Sequence, residues 1–226
     1  MWKARDAAEA VTVLFVMQTD TFKSGQHGLY WSRRLLECLQ EMAAQQTNAV
    51  LLALGDTGDV EIGRRYPDGG LTFANNRWRA FYHCHDAAAQ LTNEHGHFHI
   101  FTDVGKQKWA HVAGLSIDTS GQPLHWFAVN RWVTEGPWLD HMKLLSQLHG
   151  AVDHDQDSLA GRWLFALLQL QQTELVSLFH SRNRQIDSHA RGLEPAAVFE
   201  NRDIYTLATK PIELQAVLEK HLLYEA

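Results

Sequence analysis

RAFYHCHD at residues 79–86 and EHGHFHIF at residues 94–101 decide the reading of this chain. Their histidines, His83, His85, His95, His97 and His99, all occupy odd positions. Successive side chains of an extended strand point to opposite faces, so each group of imidazoles shares one face of its strand. Tyr82, Cys84, Phe98 and Ile100 take the other face and read as core. A sheet with one apolar face and one imidazole-bearing face is therefore expected in the middle of the chain.

The same period of two extends from about Arg77 to Trp132. Strands are expected over about 77–85, 95–102, 108–118 and 123–132, with Thr119-Ser120-Gly121-Gln122 suited to a tight hairpin. Their sequential order and short links favour an antiparallel meander. If 77–85 pairs with 95–102 across DAAAQLTNE, His83 faces His97 and His85 faces His95, with Cβ atoms about 4.5–5.5 Å apart. A turn at 103–107 brings His111 toward His99. The following hairpin then sets His111 against Asn130 and Trp109 against Trp132.

Outside this stretch the period is helical. Ala7, Val11 and Leu14, then Tyr30, Leu35, Leu36, Leu39 and Met42, predict two N-terminal helices within about 1–48, separated by FKSGQHG at 22–28. AVLLALGD, residues 49–56, suits a buried strand or a helix end, and Pro67-Asp68-Gly69-Gly70 reads as a turn. Beyond Trp132, Thr134-Glu135-Gly136-Pro137 looks like a helix start. VDHDQDS is a polar loop, and Ser158 caps one long helix over about 159–182. GLEP at 192–195 breaks the chain, YTLAT suits a further strand, and Pro211 opens a final helix. The expectation is a single α+β domain over 1–226. An antiparallel sheet of about four to six strands, within about 50–132, packs with N-terminal helices and with C-terminal helices over about 136–222.

Composition narrows the function. The chain has 226 residues, 45% hydrophobic and 20% charged, ordinary for a globular protein with a substantial core. A net charge of −6 with no basic stripe argues against a nucleic-acid partner. VTVLFVM, with Asp6 and Glu9 before it, is too short and wrongly flanked for a signal peptide. No apolar run has membrane-spanning length, so a cytoplasmic protein without a membrane partner is expected. The two cysteines, Cys38 and Cys84, form no CxxC spacing and no disulfide framework. A metal site would have to use nitrogen and oxygen ligands.

Clustered imidazoles repel one another when protonated and are costly to bury without partners. A metal ion relieves both problems by holding them neutral. The expected ligands are drawn from His83, His85, His95, His97, His99 and His111, with Glu94 or Asp86 able to supply a carboxylate. The expected cofactor is a divalent transition metal, iron or zinc, with copper also compatible. A metal-dependent enzyme acting on a small molecule follows, oxygen-activating or hydrolytic, with His97 and Glu94 in catalysis. Asn130 and Arg131, in VNRWVTEGPW, are candidates for binding an anionic substrate or cofactor group. The competing class is a non-enzymatic metal- or cofactor-binding protein.

HGHFHIF, residues 95–101, resembles the histidine-triad motif. That resemblance implies nucleotidyl hydrolysis or transfer with His97 as the nucleophile, although Gly96 stands where the motif has an apolar residue. Taken together, NRWRAFYHCHD, EHGHFHIF and FAVNRWVTEGPW look similar to an uncharacterised bacterial protein family, which implies no activity.

Overall fold

Six antiparallel strands lie side by side in the order in which the chain makes them. They are β1 (Tyr66–Phe73), β2 (Trp78–His83), β3 (Gly96–Asp103), β4 (Trp109–Ile117), β5 (Pro123–Val129) and β6 (Thr206–Pro211). The computed structural model describes residues 25–57, 60–85, 93–191 and 194–223. The expected first helix and Asp86 lie outside them.

The alternation of the histidine-bearing strands sorts side chains as their sequence demands. Tyr82, Phe98, Ile100, Leu115 and Trp126 share one face and are fully buried. Helix α5 (Leu159–Leu170) lies against it, with the Trp163 ring 6.2 Å from Phe98. Each large apolar side chain so buried contributes about 1.5–3 kcal/mol. Eleven of the twelve α5 residues are buried, because the helix also packs on α2 (Ala49–Leu54) and β1. Its start is capped by the Ser158 hydroxyl, which accepts from Gly161 N–H at 3.2 Å. Helix α1, described over residues 25–44, adds Trp31, whose ring sits 5.2 Å from Phe165.

The remaining helices are α3 (Arg131–Thr134), α4 (His141–His149), α6 (Gln172–Ala190), α7 (Pro195–Phe199) and α8 (Leu214–Leu222). Helix α6 packs along β5 and β6, the strand anticipated at YTLAT. The α+β class and the antiparallel meander are as expected. No helix among the described residues is long and apolar enough to cross a membrane.

Several boundaries differ from expectation. Pro67-Asp68-Gly69-Gly70 is no turn between elements. It is a bulged part of edge strand β1, where register jumps between Tyr66 and Leu71 and both glycines adopt positive φ. Residues 49–54 are helix, capped by Asn48 accepting from Leu51 N–H at 2.9 Å. Residues 25–28, expected within a break, already belong to α1. The strand expected to reach 132 ends at Val129, because the Asn130 side chain caps α3. The helix expected from Pro137 begins at His141, where Asp140 accepts from Lys143 N–H at 2.9 Å. Pro211 closes β6 rather than opening a helix. The single long helix is interrupted at Gln171, which divides it into α5 and α6, with the bonds Gln171 N–H to Leu167 C=O and Leu175 N–H to Gln171 C=O on either side.

Candidate metal centre

Strands β2 and β3 pair with His83 directly opposite His97, as the sequence register implies. On the face away from α5, His83 Nε2 and His97 Nε2 approach to 2.8 Å. His85 follows the end of β2, and its ring lies 4.6 Å from that of His83 and 5.2 Å from that of His97. One nitrogen from each of these three histidines lies within 4.8 Å of the others. Bonds of about 2.0–2.1 Å to one ion put neighbouring ligand nitrogens about 3–3.4 Å apart. The His83–His97 pair, at 2.8 Å, needs to open by only a few tenths of an ångström to share an ion, with His85 within 4.8 Å to supply a third nitrogen.

Glu94 sets the orientation of His97. It sits in the turn entering β3, and its Oε1 lies 2.7 Å from His97 Nδ1. Both side chains are almost completely buried. With the proton on Nδ1, His97 donates to the carboxylate and turns the Nε2 lone pair toward His83. A carboxylate behind an imidazole in this way fixes the tautomer of a metal-binding histidine and raises its basicity.

A second pair adjoins the first. Register slips between Ile100 and Phe101, so His111 stands opposite Phe101 in the ladder yet its Nε2 lies 2.9 Å from His99 Nδ1. The His99 ring packs 4.9 Å from His97 and 5.1 Å from His83. Phe127 closes the cluster from behind, edge-on to His97 at 5.1 Å. Burial, then the neighbouring His97, His85 and Arg65, pull the pKa of His83 down to about 3. Burial does the same for His111, to about 3, aided by Arg182 and His97. His99 is held well below the ordinary histidine value by burial and then by His111 and the other imidazoles. These three rings are neutral at physiological pH, the form that binds metals.

The structure does not bring every candidate together. His95 precedes β3, its Nδ1 meets the Tyr82 hydroxyl at 2.6 Å, and it is not one of the three histidines whose nitrogens gather. Gly96 explains the departure from the histidine-triad pattern: a Cβ there would lie 2.7 Å from Cys84 Sγ and from the His83 carbonyl oxygen, and against the Tyr82 hydroxyl. Cys84 is buried on the core side, as its position predicts. The Asn130 side chain caps α3 and donates to the Val198 carbonyl at 2.8 Å, tying that corner to the chain before β6. Arg131 pairs with Glu200.

A pocket of about 310 Å³ opens on His83, His85 and His99. Phe81, Phe101, Trp109 and Trp132 form much of its wall. Phe81, Phe101 and Trp109 share the odd parity of the histidines on their strands, which puts them on the same face. Three further wall residues, Arg65, Arg79 and Tyr205, were not singled out from the sequence. Arg79 shares the odd parity of Phe81 and His83, a signal that was available. Arg65 and Tyr205 come from segments flanking the outer strands, and no local pattern points to them.

No curated protein and no solved structure matches the chain. The pattern defining one protein family matches residues 29–212, which include all six strands and every histidine of the cluster. The chain belongs to DUF6969, a domain family of unknown function.

Proposed function

We propose that this protein is a metal-dependent enzyme acting on a small molecule, with His83, His85 and His97 holding one divalent transition-metal ion. The observation that carries the reading is the buried Glu94–His97 pair, which leaves His97 Nε2 facing His83 Nε2 beside His85. Such an arrangement is costly to build for stability alone, since it concentrates imidazoles whose protonation the fold must suppress.

Three neutral imidazoles leave the charge of the ion uncompensated and leave coordination positions unfilled. A metal so held supplies Lewis acidity, or activation of bound water or oxygen. The protein's own residues do the rest. Glu94 positions His97 and keeps its proton on Nδ1. His99, bonded to His111, presents a neutral ring at the pocket wall. The aromatic walls lend apolar surface to a space of the size that small-molecule sites occupy, about 300 Å³ and upward. Zinc or iron fits these ligands, and copper is compatible with them.

The test is elemental analysis of protein purified without a histidine tag, comparing wild type with His97→Ala. A stoichiometric ion in wild type, lost in the variant, is the expected result and names the metal. A wild-type protein that carries no metal and takes up neither zinc nor ferrous iron on titration would sink the reading.

A further inference from the structure

We infer that the pocket beside the histidines recognises a small carboxylate with a flat apolar body, gripped at its charged end by Arg65 and Arg79. This inference names the substrate class for the site proposed above, but it rests on a different set of residues.

Charge is the first argument. Arg65, Arg79 and three imidazoles line the pocket, and no carboxylate among the described residues does. Neither arginine has an acidic partner among the described residues, although Arg34, Arg64, Arg131 and Arg162 all pair with acids. In a chain of net charge −6, two unpaired arginines at one pocket form a local positive field against the overall balance. Arg79 Nε is moreover buried without a hydrogen-bond partner. A guanidinium presents planar paired donors that match a carboxylate, and a bound carboxylate would satisfy them.

Shape is the second argument. The two guanidinium groups are held by aromatic faces: Arg65 lies 4.5 Å over Phe81 and Arg79 lies 5.4 Å over Trp109. Phe101 stacks 5.6 Å from Phe81 and extends that surface toward His99 and His111. A ligand lying on this wall meets ring faces and the two guanidinium groups held over them. The pocket volume of about 310 Å³ limits it to a small molecule. An inorganic anion would leave the aromatic wall unused, and a neutral aromatic would leave both arginines unused.

The experiment uses metal-free protein, dialysed against a chelator, so that no carboxylate can be captured by an ion. Benzoate and phenylacetate are titrated calorimetrically, alongside benzamide, phenylacetamide and inorganic phosphate. The carboxylates should bind, more weakly as salt is raised. Their amides and phosphate should bind at least about tenfold more weakly, the loss expected when charge-assisted hydrogen bonds are removed. Arg79→Gln and Arg65→Ala should each cost a similar factor, and Arg79→Lys should recover part of it. Arg65 is exposed, so its variant keeps the test valid if a substitution at Arg79 prevents folding. Amides or phosphate binding as well as the acids would overturn the inference. So would unchanged affinity in Arg65→Ala, or no carboxylate binding at millimolar concentration. Elemental analysis decides the metal reading separately, so either idea can fail without the other.

Discussion

Glu94 is the residue on which the proposed centre turns, although it meets the ligands only through His97 Nδ1. One of its oxygens lies on His97 Nδ1, while Oε2 is buried with no hydrogen-bond partner among the described residues. A carboxylate at that point orients His97, and loss of such a partner costs about 10–100-fold in metal affinity. Glu94→Gln keeps an acceptor for the Nδ1 proton but removes the charge. The expected outcome, read by competition with a chromophoric chelator, is metal binding about tenfold weaker or worse, with thermal stability close to wild type. Equal affinity in both proteins would remove Glu94 from the centre. Residue-scale legibility was uneven for a physical reason. Strand parity places a side chain correctly only where the chain is actually extended, as at His83 and His97. His95 shares their parity but lies one residue before β3 begins, so its ring is free to take the Tyr82 hydroxyl. Asn130 likewise falls one residue beyond β5 and serves as a helix cap.

The β2–β3 ladder brings the ligands together, and its close fit is exposed to test at Gly96. A methyl group there meets the His83 carbonyl oxygen at 2.7 Å, and that backbone atom cannot swing aside. Gly96→Ala should therefore force β2 away from β3, destabilising the fold by the roughly 1–3 kcal/mol typical of overpacking and separating His83 from His97. A lower melting temperature together with loss of bound metal is expected. Adding Tyr82→Phe removes the hydroxyl but not the carbonyl clash, so it should restore stability only in part. Full metal retention in Gly96→Ala would contradict the register argument. The four strands β2 to β5 were readable from sequence because alternation and turn residues agreed over the whole stretch. Strand β1 was not, since the glycines that build its bulge carry the same local signature as a turn. The break between α5 and α6 escaped for the opposite reason. No proline or glycine marks Gln171, and the apolar pattern simply runs through from a helix buried all round to one buried on a single side.

At the scale of the whole molecule, the neutral histidine cluster links folding to pH. His83 and His111 have pKa values near 3 in the folded protein, with burial the leading cause, against about 6.5 in an unfolded chain. Between those values the unfolded chain binds protons that the native fold excludes, so stability falls as pH drops from about 6.5 toward 3. Above that window both states carry neutral rings and the effect vanishes. His99, also held neutral by burial and its neighbours, acts in the same direction. A divalent ion on His83, His85 and His97 binds only unprotonated nitrogens, so loading should raise the melting temperature at neutral pH and acid should release the ion. We therefore expect the melting temperature of metal-free protein to be nearly level from pH 7 to 8 and to decline below about 6.5. His111→Asn removes one suppressed proton site and should flatten that decline, even though its stability at pH 7 is lower from the lost bond to His99. Thermal melts of both proteins across this range, with and without added zinc, separate the terms. A metal-free wild type as stable at pH 5 as at pH 7.5 would mean that the cluster accepts protons within the fold. In that case the neutral, ligand-ready state on which metal binding depends would not exist.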